Sequence, residues 1–169
     1  MDMEMIHLRL NCLPALHIVG VYLDCQPTVA HANSVQARLE AKLENITNLG
    51  EDCILMGDLN RPMDKPTELQ KTRIMKAWID SGKVMLLNDP KVHTRIDPAT
   101  GRGSTLDLAI VNPSLMTKVV HFKVDTHRRW SLHGTITSKY TGRIQMGKWS
   151  DHKSIECKFK VTPKKVTLP

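Results

Sequence analysis

At 169 residues the chain has room for one domain with a sizeable core and is short for two, and 41% hydrophobic against 24% charged residues is the balance of a globular protein. No apolar run approaches the roughly 20 residues that cross a bilayer, and the acidic opening Met1-Asp2-Met3-Glu4-Met5 lacks the basic and apolar regions of a secretory signal, so neither a membrane partner nor secretion is expected. A net charge of +7 and a pI near 9.4 favour a polyanion such as nucleic acid over an acidic protein or a neutral small molecule.

Taken in chain order, residues 5–11 and 16–22 read as strands, joined by a hairpin connection at Asn11-Cys12-Leu13-Pro14. From Asn33, an N-cap candidate, Val35, Leu39, Leu43 and Ile46 recur at helical spacing, and Gly50 stands where such a helix stops. The apolar run ending at Asp58 reads as a buried strand. A second helix is expected from about Thr67, which would form a capping box with Gln70; Ile74, Met75, Trp78 and Ile79 supply its buried face and Ser81-Gly82 its end. Residues 84–87 form a short strand candidate, residues 93–103 are turn-rich, and residues 104–111 read as a strand placing Thr105 and Asp107 on one face. Residues 119–124, 135–140 and 154–161 are further strand candidates, and the chain divides into one domain over 1–161 and a frayed basic tail over 162–169. Strands outnumber helices, which favours sheet packed on sheet with helices outside. The four cysteines, Cys12, Cys25, Cys53 and Cys157, fall singly in apolar segments and predict buried reduced thiols in an intracellular, including nuclear, setting.

Three stretches carry chemistry. In Ile54-Leu55-Met56-Gly57-Asp58-Leu59-Asn60 an apolar strand delivers an acid and an amide to its C-terminal rim, on one face if the extended backbone continues. A carboxylate there orients a water or holds a hard cation, and an amide donates to a phosphoryl oxygen without cancelling its charge; the bland alternative is turn capping. Asp107 sits in the second stretch. In the third, Trp149-Ser150-Asp151-His152, neighbours face opposite ways along an extended chain, so the partner orienting His152 should be Asp107 rather than Asp151. Gathered at one rim, these groups suit phosphodiester hydrolysis assisted by magnesium, with manganese as the alternative. His127-Arg128-Arg129 and Trp130 offer phosphate contacts and base stacking, or simply a solvated loop. The remaining histidines show no ligand spacing.

In this order and separation, Gly57-Asp58-Leu59-Asn60, Ser104-Thr105-Leu106-Asp107 and Ser150-Asp151-His152 resemble the endonuclease/exonuclease/phosphatase family. They are most similar to the apurinic-type endonuclease domain of non-LTR retrotransposons and endonuclease-reverse transcriptases, as is the segment from Phe122 to Trp130. The resemblance covers residues 5–160. It implies an α+β fold, part of a DNase I-like four-layer α/β/β/α sandwich with two mixed sheets, and a metal-dependent nicking activity on DNA. It further implies that Asp58 activates water, Asn60 contacts the phosphate, Asp107 holds His152, Asp151 lies at the metal end, and Tyr22 ends the preceding strand at the site. Family members place an asparagine strand and a glutamate metal ligand upstream of the position where Met1 falls, and Glu4 and Glu40 are the nearest acids that could substitute. The expectation is therefore the C-terminal portion of such a domain, completed by another polypeptide or silent without it. The alternatives are a binding remnant without catalysis, and a phosphatase or lipid phosphodiesterase of the same superfamily.

Overall fold

The structure, a computed structural model, describes residues 3–25, 28–64, 69–97, 99–125, 135–137, 144–146 and 151–164. In chain order these form β1 (Met3–Leu10), β2 (Cys12–Leu13), β3 (Leu16–Leu23), α1 (Val29–Asn48), β4 (Asp52–Asp58), α2 (Gln70–Asp80) and β5 (Met85–Leu86). The second half holds β6 (Arg95–Ile96), β7 (Gly103–Ser104), β8 (Asp107–Val111), α3 (Pro113–Met116), β9 (Val119–Val124), β10 (Thr135–Thr137), β11 (Ile144–Met146), β12 (Ile155–Phe159) and β13 (Thr162–Pro163).

A five-stranded mixed sheet in the order β1-β3-β4-β8-β5 is the centre of the molecule. The hairpin partners β1 and β3 run antiparallel, β3 and β4 are parallel, and β8 runs antiparallel to both β4 and β5. A parallel pair cannot be closed by a tight turn, and α1 supplies the crossover between β3 and β4. Pleating divides the side chains. Val19, Val21, Leu23, Cys53, Leu55, Leu108 and Ile110 pack with Val35, Leu39, Leu43 and Ile46 of α1 and with Met75 and Trp78 of α2. Leu16, Ile54, Ala109 and Val111 face the other way, against Phe122 of β9 and Ile155, Cys157 and Phe159 of β12. Helices, mixed sheet and the antiparallel β9–β12 pair thus form successive layers, the α+β arrangement that the strand-rich sequence pattern implies. Leu39 is fully buried between α1 and the sheet, so Leu39→Ala is expected to cost about 2–5 kcal/mol in urea unfolding. A cost below about 1 kcal/mol would contradict this seating of α1.

Several boundaries differ from the expectation. α1 starts four residues before Asn33, because the Thr28 side chain accepts a hydrogen bond from the His31 N–H and caps the helix there. α2 starts at Gln70 without a side-chain cap among the described residues, and Thr67 lies outside them. The strand expected over residues 104–111 is broken. The Thr105 hydroxyl donates to the carbonyls of Pro90 and Val92, and its N–H donates to Asp64 Oδ1, which draws the chain out of the ladder before β8 begins at Asp107. At the far end Thr162 and Pro163 pair with Leu13 and Cys12. Cys12 and Cys53 are buried and Cys157 is half-buried, whereas Cys25 is exposed, contrary to the expectation of buried thiols. Burial pushes the Cys53 thiol up to about 12 and that of Cys157 to about 11. No helix among the described residues is long and apolar enough to cross a membrane.

Candidate active site

The rim of the central sheet where β4 ends is shaped by one glycine. Gly57 has φ +144, and a Cβ there would lie 2.0 Å from the Val21 carbonyl oxygen, so only glycine lets β4 pass this close to β3. The next residue, Asp58, is the cross-strand partner of Asp107. Partners directly opposite in an antiparallel pair project to the same face with neighbouring Cβ atoms, so two carboxylates are forced together. Beyond Asp58 the backbone turns: Asn60 adopts φ +46, a left-handed conformation that asparagine tolerates better than most residues, and Leu59 is fully buried. The extended continuation expected through Asn60 is therefore replaced by a capped turn. Asp58 Oδ1 accepts the Asn60 N–H at 3.0 Å, and Asn60 Nδ2 donates to the Leu23 carbonyl at 2.7 Å. The capped turn thus carries Asn60 next to Asp58 at the rim. One N–H of the Asn60 amide is committed to β3, which leaves its second as the donor that can face a ligand.

His152 arrives from the far end of the chain. Its Nδ1 lies 2.9 Å and 3.1 Å from the two Asp107 carboxylate oxygens, and its Nε2 lies 3.9 Å from both Asp58 Oδ2 and Asp151 Oδ1. The strand β6 seats it. Arg95 forms a β-bridge with His152, the Ile96 N–H donates to the Asp151 carbonyl at 3.0 Å, and the Lys153 N–H donates to the Thr94 carbonyl at 2.6 Å. On the other side of β6, the buried Thr94 hydroxyl accepts the N–H groups of both Leu106 and Asp107 at 3.0 Å. Buried Asn88 donates to the Asp107 carbonyl and accepts from the Ala109 N–H, pinning the start of β8. Asp151 is held by Arg95, whose Nε donates to Oδ2 at 2.6 Å.

Burial holds the Asp58 carboxyl above its ordinary value, reinforced by the facing Asp107, while the Asn60 N–H and the charges of His152 and Arg95 oppose the rise. The hydrogen bond to Asp107 holds the His152 imidazolium above its ordinary value, against the effect of burial. Burial pushes the Asp151 carboxyl up, but the Arg95 hydrogen bond and charge outweigh it and the net displacement is downward. A histidine raised on folding contributes stability fully below its unfolded value near 6.5, and that contribution fades as pH rises through the folded value. Asp107→Asn is expected to move the His152 titration midpoint downward in a proton NMR titration. A midpoint unmoved by that change would mean that Asp107 does not set the imidazole's basicity.

The structure thus brings together Asp58, Asp107 and His152, with Asp151 beside them and Asn60 on the adjoining turn. Tyr22 lies on the same face of β3 as Leu16 and Ile18, is 49% exposed, and its hydroxyl bonds to none of these groups among the described residues. Glu4 is exposed on β1 in register with Tyr22, and Glu40 accepts from Gln36 within α1. Arg128, Arg129 and Trp130 lie outside the described residues. Thr94 and Arg95 escaped the sequence reading because they sit in the turn-rich segment 93–103 with no periodicity to mark them, and Asn88 because it stands between that segment and the strand candidate 84–87. Asp58, Asp107 and His152 each offer one ligand atom within 4.8 Å of the others. The two carboxylates of this set fit a divalent cation, because a positive ion between carboxylates forced face to face relieves a repulsion that the fold imposes.

A family profile described as endonuclease-reverse transcriptase matches residues 16–137. No curated protein matches the chain. Among solved structures the chain is similar to the endonuclease domain of TRAS1, a telomere-specific non-LTR retrotransposon, with a TM-score of 0.58 and 12% identity over 91% of this chain and 59% of that one. It is similar to the Xenopus laevis APE2 catalytic domain, with a TM-score of 0.58 and 14% identity over 95% of this chain and 55% of that one. A third similar structure is the 3' phosphatase NExo from Neisseria bound to a product DNA hairpin, with a TM-score of 0.58 and 15% identity over 94% of this chain and 70% of that one. These likenesses place the fold among DNase I-like proteins, and the chain spans less than two thirds of the first two structures.

Proposed function

Because the chain belongs to the endonuclease-reverse transcriptase family, we propose that it forms part of a divalent-metal-dependent phosphodiesterase that nicks DNA. The observation that supports this reading is the convergence of Asp58, Asp107 and His152, drawn from three distant parts of the sequence, on one face of one rim. His152 Nε2 and Asp58 Oδ2 are 3.9 Å apart, a gap that a single water oxygen can bridge. Burial raises the basicity of Asp58, which suits it to take the proton of that water as its oxygen bonds to phosphorus and the ester oxygen departs. His152, fixed in orientation through Nδ1 by Asp107, presents Nε2–H to a phosphoryl oxygen and, when protonated, stabilises the charge that gathers there. Carboxylate oxygens of Asp58 and Asp107 would hold the ion, which would supply positive charge to neutralise the phosphate and polarise its oxygen, while both His152 nitrogens stay with Asp107 and the phosphate. The second N–H of the Asn60 amide adds a neutral donor, Asp151 borders His152 at the metal end, and Tyr22 lines the same face.

The substrate in this reading is duplex DNA, in keeping with the charge of +7. Nicking of supercoiled plasmid in magnesium, stopped by chelation, is the expected result. Salt-dependent DNA binding without any cleavage would instead favour a silent binding remnant, and cleavage restored by a separate polypeptide carrying further metal ligands would show that this chain is one part of the active unit. A phosphomonoesterase reading shares the same groups, and release of inorganic phosphate from a 3'-phosphorylated oligonucleotide without nicking would select it.

A further inference from the structure

The acids of this rim need a fixed cation facing the substrate, and one side chain is built into the position to be that cation. Asp58, Asp107 and Asp151 crowd one imidazole. A phosphodiester approaching them adds another negative charge, so affinity at this point requires compensation from the protein as well as from any bound ion. Arg95 stands on β6, the strand whose backbone also bridges His152, so the guanidinium and the imidazole are carried on adjacent, hydrogen-bonded stretches of chain. Its Nε is tied to Asp151 at 2.6 Å, its side chain is 36% exposed, and Nη1 and Nη2 have no hydrogen-bond partner among the described residues. Its charge is felt at Asp58 as well as at Asp151 and Asp97. An arginine anchored by one nitrogen has lost the freedom of its long stem while keeping two planar donors to present to an oxyanion. Lys153 beside His152 is spent differently: its Nζ donates to the His93 carbonyl.

We propose that Arg95 is the anion clamp of this site, with Asp151 as its positioning residue. Nε stays on Asp151, and the terminal nitrogens donate to a non-bridging oxygen of the DNA phosphate lying beside Asp58 and His152. This rests on the phosphodiesterase reading and deepens it: the acid next to the histidine serves an arginine, and part of the charge compensation is supplied by the protein itself.

The test measures binding of a fluorescein-labelled 15-base-pair DNA duplex by the full chain in EDTA, by anisotropy over a salt series, so that no cleavage enters. Arg95→Gln is expected to weaken binding about tenfold and to flatten the dependence of log affinity on log salt by about 0.9, the signature of one lost phosphate contact. Arg95→Lys is expected to keep the slope and lose about threefold in affinity, because an ammonium cannot fork. An arginine with only a structural role leaves the slope unmoved. Wild-type binding with Arg95→Gln unchanged in affinity and slope overturns the clamp and leaves the phosphodiesterase reading standing. Absence of DNA binding by the wild type in EDTA overturns the clamp, and plasmid nicking in magnesium then decides the phosphodiesterase reading by itself. Should Arg95→Gln fail to give dispersed amide resonances, Arg95→Lys decides, and affinity equal to wild type sinks the proposal.

Discussion

Asp58→Ala and His152→Ala are each expected to lower plasmid nicking by about 100- to 10,000-fold, the range that a positioned acid or base contributes. The two losses should not multiply. Asp58 Oδ2 and His152 Nε2 face each other across 3.9 Å and, in the proposed mechanism, address the same water and phosphate, so removing either would disable the unit that the other belongs to. The double variant should therefore be little worse than the poorer single one. Neither change removes a buried apolar group, and urea unfolding should show a modest effect beside the loss of activity. Activity unchanged in both single variants would remove the assignment of this rim as the catalytic centre, whatever the fold. Asp107→Asn is the informative companion, since it retains the shape of the side chain and removes the charge that orients the imidazolium and raises its basicity.

Gly57→Ala should be the most damaging change to the fold outside the apolar core. At φ +144 an alanine is strained on backbone grounds alone, and its Cβ would sit 2.0 Å from the Val21 carbonyl oxygen and 3.0 Å from the carbon behind it. These contacts are with backbone at the β3–β4 pairing, so neither partner can rotate away, and relief requires the strands to part. The expected destabilisation is about 3–6 kcal/mol, a large share of the 5–15 kcal/mol typical of a domain, read as a shift in the urea midpoint. Since Asp58 is the next residue, any surviving folded fraction should also show a displaced His152 titration. Retention of wild-type stability would mean that β4 leaves the sheet before Gly57, and with it the reason for Asp58 and Asp107 to meet.

Much of the layout follows from local pattern. The apolar run of β3 and the spacing of Val35, Leu39, Leu43 and Ile46 each state which face is buried, because pleat and helix period are properties of the backbone rather than of the partner, whereas Ile6, Leu8 and Leu10 alternate along β1 yet are exposed. Glycine at positions 50 and 82, both at positive φ, ends α1 and α2 near where the sequence puts their ends. Starts were less legible. A cap is one hydrogen bond, and Thr28 and Asn33 compete for it on nearly equal chemistry, so the choice fell to whichever residue the tertiary path left extended.

What the sequence determines by itself is the inventory: an acid and an amide after an apolar strand, an acid within another, and a histidine near the end, in the order of an endonuclease-reverse transcriptase. What only the tertiary structure decides is how those groups share the rim. Asp58 meets Asp107 because β4 and β8 pair in one register and not its neighbour, and a slip by one residue would turn one carboxylate into the core. Asn60 gives one N–H to the Leu23 carbonyl, and Arg95 takes Asp151, because chain segments 37 and 56 residues apart are brought side by side. Such partnerships depend on which strands become neighbours, and strand pairing is decided by burial summed over whole layers, a quantity that no short motif contains.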